Sequence, residues 1–188
     1  VTLVKEDQSN GKFVKVWANT EEPSGEPKPN GVATTIIDGS GATYWHSNWS
    51  TGFTVSESNP AIVTVMLSEG DDIVNYDTVT FQQRPSGSNG IIQKYECVVG
   101  NTFNEATNTI TDGTTTGPVA VSSEGAKAGS TVPVKLPEGA SGRYLQIRVL
   151  QGYGAFAAMA EITASYTFSY ETPAEKVYLE KNRLTRQV

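Results

Sequence analysis

Apolar residues recur at every second position through most of this chain, in short runs broken by Gly, Pro, Asn and Ser. Residues 77–83 set Val79 and Phe81 against Thr78, Thr80 and Gln82. Residues 91–100 put Tyr95, Cys97 and Val99 on one face. Residues 131–136 do so with Val132, Val134 and Leu136, and residues 143–150 with Leu145, Ile147 and Val149. Residues 161–170 carry Ile162, Tyr166, Phe168 and Tyr170, and two more β-rich runs lie at 13–17 and 61–67. Successive side chains of a strand point to opposite faces, so this period predicts strands with one buried face. Short strands separated by turn residues predict an antiparallel sandwich or barrel, an all-β fold. No stretch of the body repeats with a helical period, which argues against a βαβ architecture and its dinucleotide site.

The 188 residues fit one core. A net charge of −6 argues against nucleic acid, whose binding leans on Lys and Arg. It argues equally against an anionic lipid surface, and no apolar run is long enough for membrane insertion. Cys97 is the only cysteine and His46 the only histidine, which excludes an internal disulfide and any site built from several imidazoles. Cys97 reads as a buried, inert thiol. No nucleophile elbow, Walker loop or metal-hydrolase helix is present, so the chain is not expected to be an enzyme. A glycosidase would need two carboxylates at a defined separation, and coincidental pairs are easy in so acidic a chain.

The last residues differ from the rest. Thr172, Pro173, Ala174 and Glu175 match a helix-capping box with Pro at the first helical position. Residues 175–188 carry +2, leaving −8 on residues 1–174. The expected organisation is a sandwich over residues 1–171 followed by a linker or short helix at 172–188. A solvated terminal extension is the alternative. The start at Val1, without Met or a leader, suits a mature fragment or an excised module. The Thr/Asn/Gly-rich, cysteine-poor, acidic composition suits a secreted or bacterial cell-surface protein, although the missing disulfide fits the cytosol too.

Three long connections, 19–31, 38–59 and 101–129, are where binding residues are expected. The second holds Trp45, His46 and Trp49. Trp45 reads as a core anchor, and in extended chain His46 then points away from the core. Arg84 ends a strand before Pro85. It reads either as a surface ion-pair partner or as a planar fork of donors for adjacent sugar oxygens. Asn89-Gly90 is a turn signal, and Asn89 also offers a donor and an acceptor. Tyr153 and Phe156 stand on a Gly-rich loop. Asp38 opens a tight Gly-rich turn, which on spacing alone is an Asx-turn with Glu161 as a surface residue.

Three segments in order, NGVATTIIDGSGATYWHSNWS from Asn30, VTFQQRPSGSNGIIQKYECVV from Val79, and GRYLQIRVLQGYGAFAAMAEI from Gly142, resemble the coagulation factor 5/8 type C (discoidin) superfamily. Within it they are most similar to bacterial carbohydrate-binding module family 32. The resemblance spans residues 12–170. It implies a jelly-roll β-sandwich with termini near each other at one end and ligand loops at the other. Phe103 would replace a Trp of the family, and Arg143 and Tyr144 would be structural, inside the fold.

The resemblance also implies a function. The chain is expected to be a non-catalytic, monomeric module of a larger protein, binding glycans with terminal galactose-type sugars. A protein-binding adhesion module of discoidin type is the alternative. His46 would hydrogen-bond a sugar hydroxyl, typically an axial O4, with Arg84 and Asn89 on the same rim. The stacking ring would be Phe156 first, Tyr153 second and Trp49 third. A structural Ca²⁺ would be held by Asp38, Ser40 or Gly41, Thr43, the Ala160 carbonyl and Glu161. Ser40 stands where the family often has Asp or Asn.

Overall fold

The computed structural model describes residues 3–11, 13–67 and 73–172. In chain order the strands are β1 (Leu3–Gly11), β2 (Lys15–Ala18), β3 (Trp45–His46), β4 (Ala61–Met66), β5 (Ile73–Gln82), β6 (Ile92–Gly100) and β7 (Phe103–Asn104). They continue as β8 (Thr109–Ile110), β9 (Thr114–Thr115), β10 (Val119–Ala120), β11 (Thr131–Pro133), β12 (Tyr144–Gly152), β13 (Ala158–Met159) and β14 (Glu161–Thr172). Two 3-10 turns, Ala33–Ile37 and Tyr153–Ala155, are the only helical segments among the described residues.

Two antiparallel sheets make the sandwich. One has the order β1-β14-β5-β11, the other β10-β6-β12-β4-β2, with β9 also on β6. The alternation read from the sequence decides which side chains lie between them. Val79 and Phe81 of β5, Tyr95, Cys97 and Val99 of β6, and Leu145, Ile147 and Val149 of β12 are all buried in one cluster. Each fully buried apolar side chain of this kind stabilises by ~1.5–3 kcal/mol. On the outer face of β5, Thr78 and Thr80 meet Ser165 and Thr163 of β14 through hydroxyl pairs at 2.7 and 2.9 Å. Burial pushes the Cys97 thiol up to about 12, so it stays protonated.

The strands differ from expectation in particular places. β11 stops at Pro133, which cannot donate to the ladder, although Val134 beyond it is still buried. The connection at 101–129 is not bare loop but carries β7 to β10. Its hairpin brings Phe103 onto Trp17 and Tyr144, at ring centroid distances of 4.9 and 5.4 Å. Tyr144 therefore packs on the outer face of the β6-β12-β4 sheet rather than between the sheets. Below this cover, Gln146 Nε2 donates to Thr64 Oγ1 at 2.9 Å and to the Asn108 carbonyl at 2.8 Å, which satisfies its buried amide. Thr172, expected to open the tail, ends β14 opposite Leu3. The rest of the capping box and tail lies outside the described residues. This pairing sets the two ends of the described chain side by side. They lie about 40 Å along β14's twelve residues from Glu161, where the loops described next are gathered.

Candidate functional site

Four distant segments converge at that far end. Gly31 is the hub of the first two. Its N–H donates to the Tyr44 carbonyl at 2.8 Å, and its own carbonyl accepts from Glu22 N at 3.1 Å and His46 N at 3.2 Å. A side chain here would have its Cβ within 1.9 Å of the Glu22 carbonyl oxygen, and φ is +99°, so only glycine fits. The third and fourth segments join by backbone. Gly90 N donates to the Tyr153 carbonyl at 3.0 Å, and Ala158 N to the Gly90 carbonyl at 2.9 Å. β3 pairs with β13, His46 opposite Ala158 and Trp45 opposite Met159, which ties the second segment to the fourth.

These ties enclose a pocket of about 480 Å³ lined by Glu22, Gly25, Glu26, Asn30, Gly31, Tyr44, His46, Trp49, Arg84, Asn89 and Phe156. Trp45 is fully buried beneath it and donates from Nε1 to the Thr20 carbonyl at 2.7 Å. His46 does not point out to solvent, as the alternation around Trp45 predicts. It is buried, with its ring centroid 5.5 Å from that of Phe156, because the short β3 is covered on that side by the 153–157 loop. Its Nδ1 lies 2.7 Å from the Ser47 carbonyl, which can only accept, so the proton is assigned to Nδ1. Burial lowers the His46 pKa below its ordinary 6.5. The Ser47 and Asn89 backbones and the charge of Glu22 oppose that shift, and the charge of Arg84 adds to it. The neutral ring then carries a lone pair on Nε2.

Arg84 holds the rim together. Nε donates to the Ser86 carbonyl at 2.6 Å, one terminal nitrogen donates to the Asn89 carbonyl, and the other to Tyr44 Oη at 3.2 Å. Its guanidinium carbon lies 4.8 Å from the centre of the Tyr44 ring, a cation–π contact. With five N–H groups in a guanidinium, these bonds leave two for a ligand. Asn89 is exposed at the mouth, Trp49 is half exposed and Phe156 is partly exposed. Two polar edges, the His46 imidazole and two aromatic rings thus line one opening.

Five of the six expected ligand residues, His46, Trp49, Arg84, Asn89 and Phe156, line this pocket. Tyr153 does not. It is 51% exposed, and its backbone rather than its ring holds the site together. The sequence reading missed Glu22, Glu26, Asn30 and Tyr44. The 19–31 connection is expected to carry binding residues, but it is polar and Pro-rich throughout and no local pattern distinguishes Glu22 within it. Yet Glu22 is fully buried and accepts from Ser24 N at 3.1 Å, Ser24 Oγ, Ser50 N at 2.9 Å and Ser50 Oγ at 3.2 Å. Burial works to raise its pKa. The hydrogen bonds from Ser24 and Ser50 outweigh it and bring the carboxyl down to about 2.

Away from this pocket, direct hydrogen bonds join Asp38, Thr43 and Glu161 of the expected cation ligands to the 38–43 turn. Glu161 accepts from Gly39 N with both carboxylate oxygens, at 2.9 and 3.2 Å. Asp38 Oδ1 accepts from Ser40 N at 2.8 Å and Oδ2 from the Thr43 hydroxyl. Gly41 packs against the Gln82 side chain, and Ala160 N donates to the Gln82 carbonyl at 2.9 Å. The two carboxylates and the Thr43 hydroxyl are oxygen donors, the kind a hard cation takes, and here they are engaged by direct hydrogen bonds. No group of three or more His, Cys, Asp or Glu side chains is gathered among the described residues.

The F5/8 type C domain family matches residues 15–162, and the chain belongs to that family. The fold is similar to that of the family 32 carbohydrate-binding module of NanJ from Clostridium perfringens, solved in complex with galactose. That similarity has a TM-score of 0.60 and 23% identity over 80% of this chain and 92% of that one. It is similar to CpGH89CBM32-5, also from Clostridium perfringens, in complex with GalNAc-β-1,3-galactose. There the TM-score is 0.62 at 23% identity over 80% and 93% of the two chains. The C-terminal domain of a chitobiase from Bacteroides fragilis matches with a TM-score of 0.61 and 22% identity, over 88% of this chain and 98% of that one. The jelly-roll sandwich is the shared feature.

Proposed function

We propose that this domain is a non-catalytic carbohydrate-binding module that takes a terminal galactose-type sugar in the His46–Arg84–Phe156 pocket. The observation that carries the reading is the convergence of an acceptor imidazole, a guanidinium with N–H groups to spare and two accessible aromatic rings around one opening. A pyranose has a C–H-rich face and a hydroxyl-bearing edge. The face packs on Phe156 or Trp49, burying apolar area. Hydroxyls then donate to His46 Nε2 and accept from Arg84 and Asn89. The solved relatives with galactose and GalNAc-β-1,3-galactose support the same ligand class. Such a site fits one small ring, so single-site binding is weak and affinity comes from several modules or several sugars. The same reading makes this one monomeric module of a larger secreted or surface protein. Among the described residues no helix is long and apolar enough to cross a membrane.

We also propose that Asp38, Thr43 and Glu161, with carbonyls of Ser40, Gly41, Thr43 and Ala160, hold a structural Ca²⁺. It would tie the 38–43 turn to the start of β14.

A glycan array followed by calorimetry tests the sugar reading. Terminal galactosides bind the wild-type domain, and His46→Ala weakens them about tenfold or more. Arrays without any glycan signal, with a protein ligand captured instead, would turn the reading toward an adhesion module.

A further inference from the structure

We propose that the pocket selects against anionic sugars. Glu22 and Glu26 are both in its lining, and Arg84, the only cation there among the described residues, is already engaged by the protein. The ligand class is then uncharged glycan termini, and a terminal ring carrying a carboxylate or a sulfate is rejected. This rests on the carbohydrate-binding reading above and narrows it.

Glu22 is buried and held ionised by Ser24 and Ser50, so its negative charge is a fixed part of the wall. Glu26 stands at the rim with 70% of its side chain exposed. Lys28 lies 3.8 Å from it and offsets part of its charge, but both groups are more than half exposed and that pair is weakened by water and salt. Lys28 itself does not line the pocket. It folds back to donate to the Pro23 carbonyl. All three Arg84 nitrogens already donate, two of them to carbonyls, and its face lies on Tyr44. The N–H groups that remain suit hydroxyls. An anionic substituent would face the Glu26 carboxylate at the rim with the buried charge of Glu22 behind it, give up its hydration and find one partly committed cation in return. The −8 carried by residues 1–174 acts in the same direction at longer range.

Competition between galactose and galacturonic acid, and between a neutral galactoside and its sulfated form, measures this by calorimetry at low and high salt. At low salt the anionic partner of each pair binds about tenfold more weakly. The gap narrows at high salt, because a charge effect is screened. Glu26→Lys, at an exposed rim position, narrows it further at low salt. Equal affinities, or a gap indifferent both to salt and to Glu26→Lys, would overturn charge selection while leaving sugar binding intact. Failure of every neutral galactoside to bind would instead overturn the sugar reading, and charge selection with it.

Discussion

At the scale of single residues the site depends on two groups whose ionisation is set by opposite means. His46 is kept neutral by burial, with the Arg84 charge acting in the same direction. Its pKa lies below the ordinary 6.5, so the unfolded chain takes up protons before the folded one as pH falls. The stability it contributes is complete above pH 6.5 and is lost as pH falls toward the folded pKa. Sugar affinity has the same sign. It is predicted to be level between pH 8 and 6.5, then to fall as Nε2 gains a proton and can no longer accept. Calorimetry across pH checks this, and affinity rising on acidification would contradict the role given to His46. Glu22 is depressed to about 2 from 4.5. Its contribution is present above pH 4.5 and lost as pH falls from there toward 2. Arg84 serves both purposes, because its carbonyl bonds hold the 84–89 turn. Arg84→Ala is predicted to lower the melting temperature as well as the affinity, a cost not expected from its place at a strand end.

At the scale of elements, the strands that the sequence reading found are those whose alternation reports burial, such as β5, β6 and β12. β1 went unread because LVKEDQSNG has no alternating apolar set, and its strand is defined by pairing along β14. β3 and β13 have two residues each, too few for any period to show. The site was legible in parts. His46, Arg84, Asn89 and Phe156 belong to segments with recognisable family patterns. Asn30 and Tyr44 lie in the same segment as His46 without a pattern that marks them as lining, and Glu22 reaches the pocket because Gly31 folds the 19–31 loop back on Tyr44 and His46. That dependence is testable. Gly31→Ala puts a Cβ into the Glu22 carbonyl at a left-handed φ and is predicted to destabilise by ~1–3 kcal/mol. Sugar affinity should fall too, because the loop carries one wall. Denaturant unfolding and calorimetry on one sample check both effects, and wild-type values for both would remove Gly31 as the hub.

At the scale of the molecule, the sandwich separates two jobs. Leu3 and Thr172, the two ends of the described chain, pair at one end, and the pocket opens at the other. A module built this way can be joined in series without blocking its site, which suits weak binding made strong by multiplicity. The proposed Ca²⁺ at the 38–43 turn and Glu161 lies near the pocket end but outside its lining. Chelation is predicted to lower the melting temperature and Ca²⁺ to restore it, since an ion bound only by the folded state stabilises it. An unchanged melting temperature after exhaustive chelation would leave the direct hydrogen bonds of Asp38 and Glu161 as the whole account of that turn. In the proposed reading, a galactose-type ring sits in one opening walled by four distant segments. Titrating the ¹⁵N-labelled domain with galactose while recording amide and side-chain resonances tests it directly. Saturable shifts are expected, concentrated at His46, Trp49, the Arg84 and Asn89 side chains and Phe156. Shifts confined to another face of the sandwich, or none at saturating sugar, would contradict it.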